Sequence, residues 1–380
     1  MSNSKNFGWK LSKYIFNKNF NFNRQNIINV CGEKNIIDAY KKISGWKDYN
    51  ATPLIELKKL SDNLKLKNIF YKDESKRFHL KSFKALGGAY AVERVKEGKK
   101  NITVSTATAG NHGRSVAWGA QRLGLKCKIF ISEYVSDARA EEMRKLGAEI
   151  IRVKGNYEKS LEECINQSNK NGWEIVQDVA WENYENVPKL TMAGYSVMIK
   201  EISNQTDQYI THIFLQAGVG GMASGAILGV AQYFKRIPKI IIVEPENADC
   251  VLQSVDKGSL QKVHIKKESI MGGMSCGEVS LVPWKILKNS VNLCTSISDK
   301  NVAKTIAMLK NNYFCEKNII GGECATPGII SLISVCENQD LKNKISLDEN
   351  SNVLVIGCEG DADEILYKKL LDDGKKELGI

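Results

Sequence analysis

Three short stretches carry residue types and spacings that suit chemistry as well as packing. The first runs Gln216-Ala217-Gly218-Val219-Gly220-Gly221-Met222-Ala223-Ser224-Gly225, after the apolar HIFLQ and at the start of a helical run. Glycines there let the backbone turn tightly and expose its N–H groups, and a helix N-terminus adds partial positive charge. Gly218, Val219, Gly220 and Gly221 therefore suit a phosphate. No GK[ST] follows, so the run is not a P-loop, and it lies too late in the chain, with no earlier βαβ start, for a dinucleotide fingerprint ending at Glu244. The second is Ser82-Phe83-Lys84 in LKSFKALGGAYAV, where a lysine heads an apolar helical stretch beside a small polar residue. An arbitrary lysine is a surface residue, but one near a phosphate-binding turn suits a Schiff base with a phosphorylated aldehyde. The third runs from Ser105 to Arg114, STATAGNHGR, again between a strand-like run and a helix. Asn111 can donate to a ring oxygen. Thr106, Thr108 and the amides around Ala109 and Gly110 can hold a carboxylate at the helix N-terminus, with His112 next to them. Read blandly, the same stretch is a capped strand–helix turn and His112 is structural.

The elements that must position these loops are legible from periodicity. Short β-branched runs at 102–105, 128–131, 149–153, 174–177, 212–215, 239–243 and 353–356 alternate with helical stretches at 112–123, 137–146, 157–169, 189–203, 221–234 and from about 361. Such alternation predicts an α/β fold of parallel sheets covered by helices, with functional loops at the carboxyl ends of the strands. Residues 1–40, rich in Asn, Lys and aromatics without clear periodicity, read as a loosely ordered arm with short packed segments.

Composition excludes several classes. The chain has 380 residues, 54 Lys and Arg against 43 Asp and Glu, and 43% hydrophobic residues, which is ordinary globular usage with a formal charge of +11. The basic residues are spread out, with no aromatic-interleaved basic block, so they read as a solvated surface and not as a nucleic-acid site. Ten cysteines without a CxxC pair, and four histidines, exclude a zinc cluster of the usual spacing, and no metal is expected. The N-terminus lacks the apolar core of a signal peptide, and no apolar stretch is long enough to span a bilayer. A reducing, cytoplasmic setting and no membrane partner are expected.

Taken in order, KDES-x-RF-x-L-x-SFKALGGAYAV, STATAGNHGRSVAW, VQDVAWENY, QAGVGG, VEPENAD and GGMSCGEVS resemble the diaminopropionate ammonia-lyase family. These are fold-type-II pyridoxal-phosphate enzymes of the tryptophan synthase β/threonine dehydratase superfamily. The resemblance covers about residues 45–370 of the chain. It implies two open twisted parallel-sheet domains with pyridoxal 5'-phosphate in the cleft between them: a large domain of 41–87 and 206–380, a small one of 88–205, and a homodimer. It implies that Lys84 forms the internal aldimine, that Asn111 bonds the cofactor's 3-oxygen, that the amides of Gly218 to Gly221 hold its phosphate, and that Cys358 in VIGCEGDAD faces the ring nitrogen. The implied reaction is α,β-elimination through an external aldimine and aminoacrylate, giving pyruvate and two ammonia from 2,3-diaminopropionate.

The chain departs from the family pattern at Ala109, where the family's asparagine loop reads T-D-G-N-H-G. Alanine transfers no proton. Asp178 matches the other acid, the one associated with the L-isomer, so the resemblance implies a preference for L-2,3-diaminopropionate. Ala109 also resembles the S-A-G-N-H loop of serine/threonine dehydratases, which leaves a hydroxy amino acid as the runner-up substrate; a cofactor-binding homologue with little turnover is the third reading. Small residues around Ser275 and Cys276 suit a loop approaching substrate, and Ser275 joins Thr106, Thr108, Ala109, Gly110 and His112 as a candidate substrate residue. Cys250 and Cys276 are expected as free thiols near the site, Glu323 as a carboxylate facing the cofactor side, and His79 as a position where family members have glycine.

Overall fold

A computed structural model describes residues 6–380, and within them two sheets. The strands, in chain order, are β1 (Lys13–Phe16), β2 (Leu54–Glu56), β3 (Asn68–Asp73), β4 (Thr103–Ala107), β5 (Lys126–Ser132), β6 (Ala148–Val153), β7 (Glu174–Ile175), β8 (His212–Gln216), β9 (Lys239–Pro245), β10 (Leu293–Ile297) and β11 (Asn352–Gly357). Seven of them form one sheet in the order β1-β10-β9-β8-β11-β3-β2, and four form the other in the order β6-β5-β4-β7. Every pairing is parallel except β1 with β10 and β2 with β3 at the two edges. Strands β8, β10 and β11 are buried throughout, as strands covered on both faces must be, which is why the centres of β8 and β11 read as continuous apolar runs. Among the described residues, no helix is long and apolar enough to cross a membrane.

Two of the expected outlines shift. The arm is built into the fold from residue 6 onward; residues 1–5 lie outside the described residues. Strand β1 closes one edge of the large sheet, with Lys13 opposite Ser296. Trp9 is buried, and its N–H donates to Glu337 at 2.6 Å. The Glu33–Ser44 helix buries Ile36, Ala39 and Ile43, a helical spacing diluted by the surrounding Lys and Asn, and it runs across the boundary expected at 40. The second shift concerns the end of the small unit. Its core joins Val104, Val116, Ile129, Met143 and Val176, whereas Met192, Tyr195 and Ile199 belong to the larger core. The helices Asn186–Tyr195 and Val197–Gln205 pack on the Gly221–Tyr233 helix, so the small core ends before them and not at 205.

Two features set the lysine that begins the Lys84–Lys96 helix. That helix crosses the Asn186–Tyr195 helix backbone to backbone: a Cβ on Gly194 would lie 2.5 Å from the Leu86 carbonyl oxygen, and one on Gly87 would lie 2.6 Å from that of Thr191. Before the helix, a cluster of buried charges pins the chain. Lys72 meets Glu201 at 2.6 Å, and Arg77 meets Glu74 at 2.8 Å and Glu201 at 2.7 Å, two cations against two carboxylates. Between this anchor and Lys84 the backbone takes left-handed φ values at three non-glycine residues, Phe78 (+47°), His79 (+59°) and Lys81 (+60°). His79 is exposed. His79→Gly should stabilise the protein by about 0.5–1 kcal/mol, because release of left-handed strain (about 1–2 kcal/mol) exceeds the glycine's extra chain entropy. A denaturant midpoint that stays level or falls would place the strain elsewhere.

Candidate active site

Lys84 is delivered to the space between the sheets by the end of β11. The Phe83 N–H donates to the Cys358 carbonyl at 3.0 Å, the Gly360 N–H donates to the Lys81 carbonyl at 2.9 Å, and Ser82 bridges to Glu359. The Lys84 side chain is 26% exposed, and its Nζ donates to Asp178 Oδ2. Phe83 and Tyr195 wall it in, with ring centroids 5.5 and 5.8 Å from Nζ. Burial works against the ammonium, but the Asp178 carboxylate outweighs it and holds the Lys84 pKa above its ordinary value.

Asp178 follows β7, and the residue before it is fastened on every side. The Gln177 side-chain oxygen accepts from Thr106 Oγ1 (2.6 Å) and the Ala107 N–H (3.1 Å), and its Nε2 donates to the Ala107 carbonyl (3.0 Å) and the Tyr157 hydroxyl (2.9 Å). Its own N–H donates to the Tyr184 hydroxyl at 2.9 Å. Burial alone would raise the Asp178 pKa; the Lys84 ammonium, hydrogen-bonded to it, brings it below the ordinary carboxylate range. His112 is buried, its Nε2 lies 2.9 Å from the Val176 carbonyl, and its Nδ1 lies 3.7 Å from Asp178 Oδ2. Burial lowers its pKa and keeps the ring neutral.

On the opposite wall, Asn111 opens the Asn111–Arg122 helix, and its Nδ2 donates to Glu359 Oε2 at 2.7 Å. The other Glu359 oxygen accepts the Cys324 N–H at 3.1 Å. Glu323, Cys324 and Glu359 bring one ligand-type atom each to within 4.8 Å of one another. Burial and the Glu359 charge push Glu323 up to about 8, and burial raises Glu359 as well. The Cys358 thiol donates to the Cys324 carbonyl at 3.1 Å and is pushed well up by burial.

The glycine turn closes the third side. Gly220 has φ +92°, and a Cβ there would lie 2.7 Å from Leu287 Cδ1; one on Gly218 would lie 3.0 Å from Cys276 Sγ and from the Gly273 carbonyl. Side chains are thus excluded behind the turn, while Gly221 begins the Gly221–Tyr233 helix with the unpaired N–H groups of a helix start. Cys250 donates to the Gly218 carbonyl at 3.8 Å, and none of the ten cysteines is in a disulfide.

Not every expected residue reaches this space. Thr106 is fully buried and spends its hydroxyl on Gln177, so it orders Asp178's neighbour and is not free to meet a substrate carboxylate. Ser275 donates to Glu268 and accepts from the Ser269 N–H at 3.2 Å. Thr108 Oγ1 accepts the Gly110 N–H at 3.3 Å, and Gly110 and Ala109 line the open side of the loop. Tyr195 and Glu359 were not anticipated. Tyr195 sits inside an apolar helical run and reads as core; only Gly194 beside it hints at close packing. Glu359 stands next to Cys358 in the segment already singled out, and an acid beside a strand-end thiol was the available signal.

A family model described as pyridoxal-phosphate dependent enzyme matches residues 46–359. Diaminopropionate ammonia-lyase of Escherichia coli (strain K12) is 36% identical over 385 residues, covering 94% of this chain and 96% of that one. The protein of the same name from Salmonella typhimurium is 34% identical, covering 90% and 92%. The crystal structure of the Escherichia coli protein, in complex with an aminoacrylate-PLP azomethine reaction intermediate, superposes with a TM-score of 0.86 at 35% identity, covering 97% of this chain and 98% of that one.

Proposed function

This chain belongs to the pyridoxal-phosphate dependent enzymes and, within them, to the diaminopropionate ammonia-lyase family, and we propose that it catalyses α,β-elimination of 2,3-diaminopropionate, favouring the L-isomer, to pyruvate and two ammonia. The observation that carries the reading is the direct contact of Lys84 with Asp178 between the two sheets, with alanine at position 109 of the facing loop.

The residues fit pyridoxal phosphate. The turn at Gly218–Gly221 is a cradle that side chains would fill. The Tyr195 hydroxyl is buried without a hydrogen-bond partner, on a ring that lies 3.9 Å from where a Gly221 Cβ would stand and beside Lys84. Lys84 would hold the cofactor covalently, Gly218, Val219, Gly220 and Gly221 its phosphate, Asn111 its 3-oxygen, and Cys358 its ring nitrogen. When bound, the cofactor supplies a sink for the electron pair left at the substrate's Cα.

The chain's own residues supply the rest. The Thr108 hydroxyl and the Ala109 amide, at a helix N-terminus, suit the substrate's carboxylate. Asp178 is held ionised and accepts the Cα proton. The β-amine, entering protonated, leaves as neutral ammonia with the electron pair of its C–N bond, and 2-aminoacrylate released to water hydrolyses to pyruvate and the second ammonia. Ala109 offers no second acceptor, which supports the L-preference. The reading carries a homodimer and a cytoplasmic setting with it; the unpaired cysteines support the second.

The test is pyruvate release from each diaminopropionate enantiomer, with L-serine and L-threonine alongside. The L-isomer should be turned over and the D-isomer poorly or not at all. Equal turnover of the two would remove the L-preference, and faster turnover of serine or threonine would replace the amine leaving group with a hydroxyl.

A further inference from the structure

His112 has a buried nitrogen with no hydrogen-bond partner. Its Nε2 faces the Val176 carbonyl at 2.9 Å. A carbonyl only accepts, so that nitrogen carries the ring's proton and Nδ1 is left with a bare lone pair. Nδ1 is buried and unbonded, in a residue 3% exposed. An orphaned acceptor at this depth is uncommon and asks for a reason. The space around it is kept narrow: a Cβ on Gly88 would lie 3.4 Å from Nδ1. The nearest group that can acquire a proton is Asp178, whose Oδ2 is 3.7 Å away and is occupied by Lys84.

We infer that His112 is a positioning residue for proton removal: its bare Nδ1 accepts the hydrogen bond of the Asp178 carboxyl group once that group has taken the substrate's Cα proton. The inference rests on the reading of Asp178 as the base. A Lys84 side chain in its neutral amine form no longer satisfies Asp178 as an ammonium would. The carboxylate then faces substrate on one side and the imidazole on the other. The Cα–H bond breaks, an O–H bond forms on Asp178, and the electron pair stays with the substrate and its sink. The new O–H reaches Nδ1 with a closure of about 1 Å to hydrogen-bond length. A carboxyl group with an acceptor waiting is a stronger base than one in an apolar wall.

The titratable groups facing the ring are Asp178 and Lys84, and those facing Asp178 in turn include Lys84, Tyr157, Tyr184, Tyr195 and Cys276. Of these, His112 Nδ1 and the Tyr195 hydroxyl are buried without a hydrogen-bond partner, and Nδ1 lies 3.7 Å from Asp178 Oδ2. Burial holds it neutral, which keeps the lone pair available at working pH.

His112→Phe keeps a flat ring in the same space and removes both ring nitrogens, the bare acceptor included. In the cofactor-loaded enzyme, kcat for L-2,3-diaminopropionate should fall at least about tenfold, with KM little changed, a modest share of what general acid–base groups contribute. The acid limb of the kcat profile should move to lower pH, because the pair binds its proton less tightly. An unchanged kcat, or a fall with the acid limb in place, overturns the inference. A second readout needs no variant activity: nitrogen-15 NMR of the four histidines in the loaded parent protein should show His112 protonated on Nε2 and bare on Nδ1. A proton on Nδ1 overturns the inference even if the variant fails to fold. Asp178→Asn separates the two readings. If that variant still turns over, the base assignment fails; if it is inactive while His112→Phe behaves as the parent, only the role of His112 fails.

Discussion

Lys84→Ala should abolish turnover, by at least about 10³-fold, and remove the absorbance of the lysine-bound cofactor near the visible edge. The size follows from geometry. Lys84 is the amine held at the meeting point of the β11 end, the Tyr195 ring and Asp178. Among the other lysines, Lys72 is locked onto Glu201, and Lys81 is paired with Asp361 and Glu364. Pyruvate release and an absorbance spectrum of the same preparation check the expectation, and turnover within about tenfold of the parent would overturn it. The change also alters the cofactor-free protein. Asp178 has a depressed pKa there, so it contributes stability that is present above the unfolded carboxylate value of about 4 and is lost as pH falls through the folded value. Without Lys84 that contribution shrinks.

Asp178→Asn should lower kcat for the L-isomer by about 10²–10⁴-fold while the cofactor absorbance persists. Asparagine keeps the shape and an acceptor for Lys84 but takes no proton. The bonds that hold Gln177 in place involve Thr106, Ala107, Tyr157 and Tyr184, and none of them needs a charge at 178. A variant with parental kcat would show that the proton goes elsewhere, with Glu323 and Glu359 the next carboxyl groups to examine. Loss of absorbance together with activity would show that Asp178 serves cofactor binding and not proton transfer.

Much of this site was legible because backbone chemistry leaves marks in sequence. A tight turn at Gly218–Gly221 needs small residues, and a lysine heading an apolar run after KDES is conspicuous. Strands covered on both faces, such as β8 and β9, show as unbroken apolar runs. What escaped depended on contacts between distant segments. The helix over Glu33–Ser44 buries a narrow apolar stripe whose partners lie on later helices, so its local signal was weak. Thr106 had the right type and place for a carboxylate ligand, but its strand position turned the hydroxyl toward Gln177. Tyr195 looked like core because its ring is buried in it, with one face turned to Lys84. Strand β10 is buried over all five residues but carries Thr295 and Ser296, so no unbroken apolar run marked it.

Lys84 and Asp178 hang from different sheets, so no ladder of backbone bonds sets the gap between them. It is set where the Lys84–Lys96 helix meets the Asn111–Arg122 helix of the other unit: a Cβ on Gly119 would lie 2.8 Å from Ala89 Cα, and one on Gly88 would lie 2.3 Å from Ser115 Oγ. That crossing behaves as the calibrated stop of a hinge. A single methyl at either glycine would act as a shim, tilting the lysine away from its partner with every reacting group still in place. Judged by what fixes its dimensions, the reaction centre reaches a full helical turn past the last side chain that does any chemistry.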